Sequence, residues 1–226
     1  MRTGNRRAVV LGAAAWVSLV QYFVMLVVSQ NRWSTPYSWS RNAISDLGAA
    51  TCRRSEHLET WVCSPWHVAT NVSWALAGVC MCAGAIAVTP TLPSTRGARI
   101  GSGLVVAAGI GLVLVAINPE DTSATLHVLG ASIAILGLEI ATVVLGATLL
   151  KARRWGPLGP LGIAVGAGAM IGLVLMLAEV GGPARFGLWE RIAAFPGLIF
   201  LIVLGVRILI DVSARPRGEH ESSTGE

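Results

Sequence analysis

The chain has 226 residues, 54% of them hydrophobic and only 13% charged, whereas soluble domains carry about twice that charged fraction. Six spans of about 20 residues with short connections consume this length, which leaves no room for a large soluble domain. The net charge of +5 arises from 17 basic and 12 acidic residues. The basic ones fall in short clusters between apolar runs instead of one patch, which argues against a nucleic-acid partner and for membrane topology.

The first apolar run, residues 8–29, follows Arg2, Arg6 and Arg7. It is longer than the apolar core of a signal peptide and lacks a convincing small-residue cleavage site, so it reads as an uncleaved first span. Residues 30–65 form one long polar loop rich in Trp, Ser and charge. Further spans are expected at 66–88, 100–117, 125–150, 158–180 and 189–212. Turns built on Pro90 and Pro93, on Asn118-Pro119, on Lys151 to Arg154 and on Gly181-Gly-Pro183 separate them. Residues 213–226 are polar and read as a disordered cytoplasmic tail. The fold class is therefore all-α, a single six-span transmembrane bundle.

Orientation follows from positive charge. The N-terminus, the two-three and four-five connections and the C-terminal region, with Arg207, hold 11 of the 17 basic residues. The positive-inside rule then puts both termini in the cytoplasm and turns the long loop outward from a plasma membrane. Trp33, Trp39, Trp61, Trp66 and Trp189 fall near the outer interface, where amphipathic rings settle. A single lysine, Lys151, and an Ala/Gly/Val-rich chain fit a GC-rich bacterial genome.

Cys80 and Cys82 lie in an apolar run and read as small buried hydrophobes. Cys52 and Cys63 lie in the outward loop, where a disulfide is plausible. Spacing alone leaves two free thiols as the alternative. Glycine pairs such as Gly101-x-Gly103, Gly109-x-Gly111 and Gly166-x-Gly168 permit close helix approach and carry no chemistry.

Polar groups near the membrane are costly unless paired, and most gather on the outward side. Asp46, His67, Asp121 and His127 are the candidate catalytic residues. His67, His127 and Asp121 could hold a zinc ion with an open position, whose water would be a nucleophile at neutral pH. Without a metal, His127 could act as a base oriented by Asp121. Tyr37, Ser38, Asn42, Ser45, Glu190 and Arg191 are candidate substrate-binding residues. Bland readings stand beside these: interfacial histidines, Asp46 as a cap, and Glu190-Arg191 as a structural pair. No H-E-x-x-H spacing, Walker loop or hydrolase elbow is present. Glu139 and Gln21 lie deeper, where an acid is a functional candidate by default. The Asn71-Val-Ser sequon falls inside span two and is discounted.

Tyr37-Ser38 with Ile44-Ser-Asp-Leu-Gly48, then Asn118-Pro-Glu-Asp121 with Leu126-His127, then Trp189-Glu-Arg-Ile-Ala-Ala-Phe-Pro196 resemble, in that order, the DUF998 family of prokaryotic membrane proteins. The resemblance covers nearly the whole chain. It implies a multi-span membrane protein with its motifs on the outer face and supplies no reaction. A looser similarity of layout to membrane hydrolases with His/Asp sites adds lipid-related activity as an expectation, by analogy of fold alone. Two functions follow. One is an enzyme that hydrolyses or transfers part of a lipid at the outer leaflet. The other is a non-enzymatic accessory or sensor protein that binds a membrane lipid or a partner through the same face.

Overall fold

In the computed structural model, which describes residues 3–214, six helices are long and apolar enough to cross a membrane. The chain is a multi-pass membrane protein with an all-α bundle. The tail expected at 213–226 lies outside the described residues apart from Ser213 and Ala214.

Span one is two helices, α1 (Thr3–Val17) and α2 (Val20–Gln30). The break has a local cause. The Ser18 hydroxyl donates to the Ala15 carbonyl at 2.8 Å, and the Leu19 N–H reaches only back to Trp16, at 3.2 Å. Such serine back-bonding bends helices. Then come α3 (His67–Val88), α4 (Arg96–Ile117), α5 (Ala124–Leu150), α6 (Leu158–Leu177) and α7 (Phe186–Ser213). Helix α4 starts ahead of its apolar run because the Thr95 hydroxyl caps it, accepting the Ala98 N–H at 3.1 Å. Helix α6 stops short of the apolar run it belongs to, and Glu179 and Gly181 follow with φ of 51° and 83°. A left-handed residue after the last turn is a common helix stop.

The helices pack in a ring: α3 against α4, α4 against α5, α5 against α6, α6 against α7, and α1 against both α3 and α7. Helices α5 and α7 also touch. Small residues set the closest approaches. A Cβ on Gly109 would meet the Gly78 carbonyl and Cys82, and one on Gly111 would meet the backbone of Gly130 and Ala134. The glycine reading does not extend to Gly103 and Gly168, which face open space. Trp16, Leu201 and Leu204 are fully buried inside the ring. Outside, Leu11, Ile86 and Leu177 are about 70% exposed, which is the surface hydrocarbon tails cover.

The long loop has more structure than its polar composition suggests. Strands β1 (Arg53–Ser55) and β2 (Thr60–Val62) pair antiparallel with Arg53 opposite Val62. The Cys52–Cys63 disulfide closes this hairpin at its base, so the pairing the sequence left open is formed. Ahead of the hairpin, Ser45–Gly48 makes a 3-10 turn. Ala43, Ile44, Asp46, Leu47 and Ala49 are all at most 5% exposed. This stretch descends into the end of the bundle and roofs it.

Candidate functional site

The roof is held by three separated parts of the chain. The first is the start of α7. Glu190 Oε2 accepts the Ile44 N–H at 2.5 Å. Arg191 Nη1 donates to the carbonyls of Asn42 at 2.8 Å and Gly187 at 2.7 Å, and Nη2 donates to the Tyr37 hydroxyl at 2.5 Å. That hydroxyl donates in turn to the Ala43 carbonyl at 3.0 Å. The rings of Tyr37 and Trp39 flank the guanidinium at 5.7 and 5.3 Å, a cation–π arrangement. Gly187 is the position that allows this contact, because a Cβ there would strike the Asn42 carbonyl.

The second part is the start of α3, where Asn71 Nδ2 donates to the Gly48 carbonyl at 2.9 Å and Ser64 Oγ to the Leu47 carbonyl at 2.7 Å. The third is the α4–α5 link. Asp121 accepts from the N–H groups of Ala50 at 2.9 Å and Thr51 at 2.7 Å and from the Thr51 hydroxyl at 2.6 Å. Arg53 pairs with Glu120 at 2.7 Å.

Within the roof, Asp46 accepts the Ala43 N–H at 3.0 Å and Asn42 Nδ2 at 3.4 Å. Asn42 Oδ1 accepts the Ser38 N–H at 2.9 Å. Burial, with the Glu120 and Glu190 carboxylates, pushes the Asp46 carboxyl up to about 7 against the bonds from Asn42 and Ala43. Burial also raises the Tyr37 phenol. For Asp121 burial acts upward, but the Thr51 hydroxyl and the Ala50 and Thr51 N–H groups outweigh it and lower the acid.

Beneath the roof lies a cavity with about 70 Å³ of room for the centres of water-sized molecules; a single water needs about 10–15 Å³ by that measure. Its wall is largely apolar, from Trp74 and Met81 on α3, Leu112 on α4, Leu138 on α5 and Leu198 on α7. Five lining residues carry polar groups: Tyr22, Ser45, Trp74, His127 and Glu190, and the Trp74 Nε1–H is buried without a partner among the described residues. Ser45 belongs to the roof, and His127 and Glu190 sit in the first turns of α5 and α7, so the polar end lies under the loop. The His127 ring is 6% exposed, and its Nδ1 lies 2.9 Å from the Asn118 carbonyl. A carbonyl only accepts, so the proton is assigned to Nδ1 and the neutral ring keeps an acceptor at Nε2.

Tyr37, Ser38, Asn42, Ser45, Asp46, Glu190 and Arg191 therefore belong to one assembly, but most of their hydrogen bonds shape the roof. Only Ser45, Glu190 and His127 among the residues expected from sequence line the cavity. His67 sits apart at the start of α3, its Nδ1 3.0 Å from the Ser64 carbonyl. Among the described residues no three His, Cys, Asp or Glu side chains are grouped to hold a metal ion. The zinc expectation for His67, His127 and Asp121 is corrected accordingly: both Asp121 oxygens are engaged by Ala50 and Thr51, and the two imidazoles turn to different backbone carbonyls. Tyr22, Trp74, Met81 and Leu138 escaped the sequence reading because an apolar residue on a lumen wall and one facing lipid look alike in an apolar run.

The family model DUF998, described as a protein of unknown function, matches residues 10–207. No curated protein and no solved structure gives a significant match.

Proposed function

We propose that this chain, which belongs to the DUF998 family, binds an amphiphile of the outer leaflet in the cavity beneath its loop, as a non-enzymatic lipid-binding accessory or sensor protein. The observation that carries this is the cavity itself. Its lining is mostly apolar, with Ser45, His127 and Glu190 placed at its loop end. Ligand sites are typically apolar clefts with a few placed polar groups. The distribution of arginines turns the loop end outward, so the polar end would lie at the depth of lipid heads.

A second reading, hydrolysis or transfer on the same lipid, is favoured by one detail. The His127 imidazole, oriented by the Asn118 carbonyl at Nδ1, lines the cavity, where its other nitrogen would serve as a general base if within reach of the substrate.

The test is to purify the protein and its Ala131→Leu variant from membranes and compare the lipids each retains. Ala131 lines the cavity, and the larger side chain takes up its space. A lipid species retained by the parent and depleted in the variant is the expected result. Identical retained lipids at equal folded yield would overturn the proposal. Turnover of the retained species that is lost in His127→Ala would favour the enzymatic reading.

A further inference from the structure

We infer that the head group accepted by this cavity is a hydroxyl or an amine on a single slender chain, and not a phosphate. The inference rests on the binding reading above and names its ligand class. It follows from which residues line the lumen and which do not.

No lysine or arginine lines the cavity. The nearest guanidinium in sequence is Arg191, one residue past Glu190. Neighbouring residues on a helix do not share a face. Arg191 turns to the loop, where Nη1 and Nη2 are spent on Asn42, Gly187 and Tyr37 and two aromatic rings flank its plane. It is 5% exposed, and its Nε, which has no partner among the described residues, is enclosed with the rest of the group.

Among the polar groups of the lining only Trp74 Nε1–H is confined to donating; the other four can accept from a ligand. Glu190 offers carboxyl oxygens, of which Oε2 already takes the Ile44 N–H. His127 offers Nε2 as an acceptor while the ring is neutral. The hydroxyls of Tyr22 and Ser45 make no side-chain hydrogen bond among the described residues, so each can serve a ligand as donor or acceptor. A phosphate brings several acceptor oxygens and at least one negative charge. It would find no compensating cation among the lining residues, which makes its burial costly. An alcohol can donate to Nε2 or to the carboxylate and accept from Tyr22 or Ser45. An amine can donate to both acceptors and pair with Glu190.

The tail follows from the walls. From His127 to Leu138 the lining runs along α5 for about 16 Å, closed in by Met81, Ala134 and Leu198. That run accommodates one extended chain.

The experiment uses the full chain in phosphatidylcholine nanodiscs and three probes of equal length: 1-dodecanol, dodecylamine and dodecyl phosphate. Thermal unfolding is followed for the parent, Ser45→Ala and Ala131→Leu. The alcohol and the amine are expected to raise the unfolding temperature of the parent, with apparent affinities about tenfold or more above that of the phosphate. Ala131→Leu is expected to abolish these shifts, and Ser45→Ala, which leaves the Glu190 anchor in place, to weaken the shift given by the alcohol. Dodecyl phosphate shifting the parent as strongly as the alcohol, with the effect lost in Ala131→Leu, would overturn the head-group assignment and leave the cavity reading standing. No probe shift that depends on residue 131 would overturn the cavity reading itself.

Discussion

The carboxylate of Glu190 accepts the backbone N–H of Ile44 at 2.5 Å, across 146 residues of chain. This contact is one of several that make the long loop the roof of a membrane bundle instead of a free polar segment. It also brings the loop's Ser45 to the same lumen as Glu190.

Gly187 is the tight point of that union. Replacing it with alanine places a methyl group against the Asn42 carbonyl and the Arg191 guanidinium. Gly187→Ala is expected to cost about 1–3 kcal/mol of stability and to expose residues 37–50 to added protease. A variant with the parent's unfolding temperature and cleavage pattern would show that the α7 contact does not hold the roof.

The disulfide closes an eleven-residue separation between Cys52 and Cys63. Its removal in Cys52→Ser/Cys63→Ser is expected to cost about 2–3 kcal/mol, read as a lowered unfolding temperature. A reporter fused between residues 52 and 63 is expected to be exported, and one fused after Lys151 to remain inside. The opposite pattern would contradict the outward assignment of the loop.

Asp46 gives the roof a pH dependence of definite sign. Its carboxyl is raised to about 7 in the fold, by burial first and then by Glu120 and Glu190, from an ordinary 3.8. Between those values the folded chain holds a proton the unfolded chain has released. Stability is therefore expected to fall as pH rises through that window and to level off above it. Asp121 is shifted downward, so its contribution changes only near and below its ordinary value. Unfolding temperatures measured from about pH 5 to about pH 8 should fall for the parent and stay flatter for Asp46→Asn. Parallel curves for the two proteins would contradict the assignment.

Glu139 is 2% exposed, and neither of its oxygens has a partner among the described residues. An unpartnered buried polar group costs about 1–3 kcal/mol. Glu139→Leu is expected to raise the unfolding temperature, and Glu139→Gln to change it little. A strong loss of stability in both variants would mean that the carboxyl is engaged by something other than the described side chains.

The spans were legible in the sequence because each is a long apolar run between arginine clusters or proline-bearing turns. The polar assembly around the long loop was legible in part. Asp46, Glu190 and Arg191 are costly residues near a membrane, and they do come together. Their roles were not legible. A carboxylate that takes loop N–H groups and one that does chemistry carry the same letter, and only the bonds from Ala50 and Thr51 to Asp121 reveal which it is. The buried descent of Ala43 to Ala49 was hidden by its polar flanks. The cavity was hidden because helix packing leaves it, and no motif encodes it.

The cavity is the centre of the account, and photolabelling reads it most directly. The intact protein in nanodiscs is irradiated with a long-chain alcohol that carries a diazirine in mid-chain, and the labelled residues are found by mass spectrometry. Labels on Met81, Ala134 and Leu138, lost in Ala131→Leu, are the result expected. Labels confined to Val79, Ile86 and Leu136, which face outward from the bundle, and unchanged by that substitution, would contradict it.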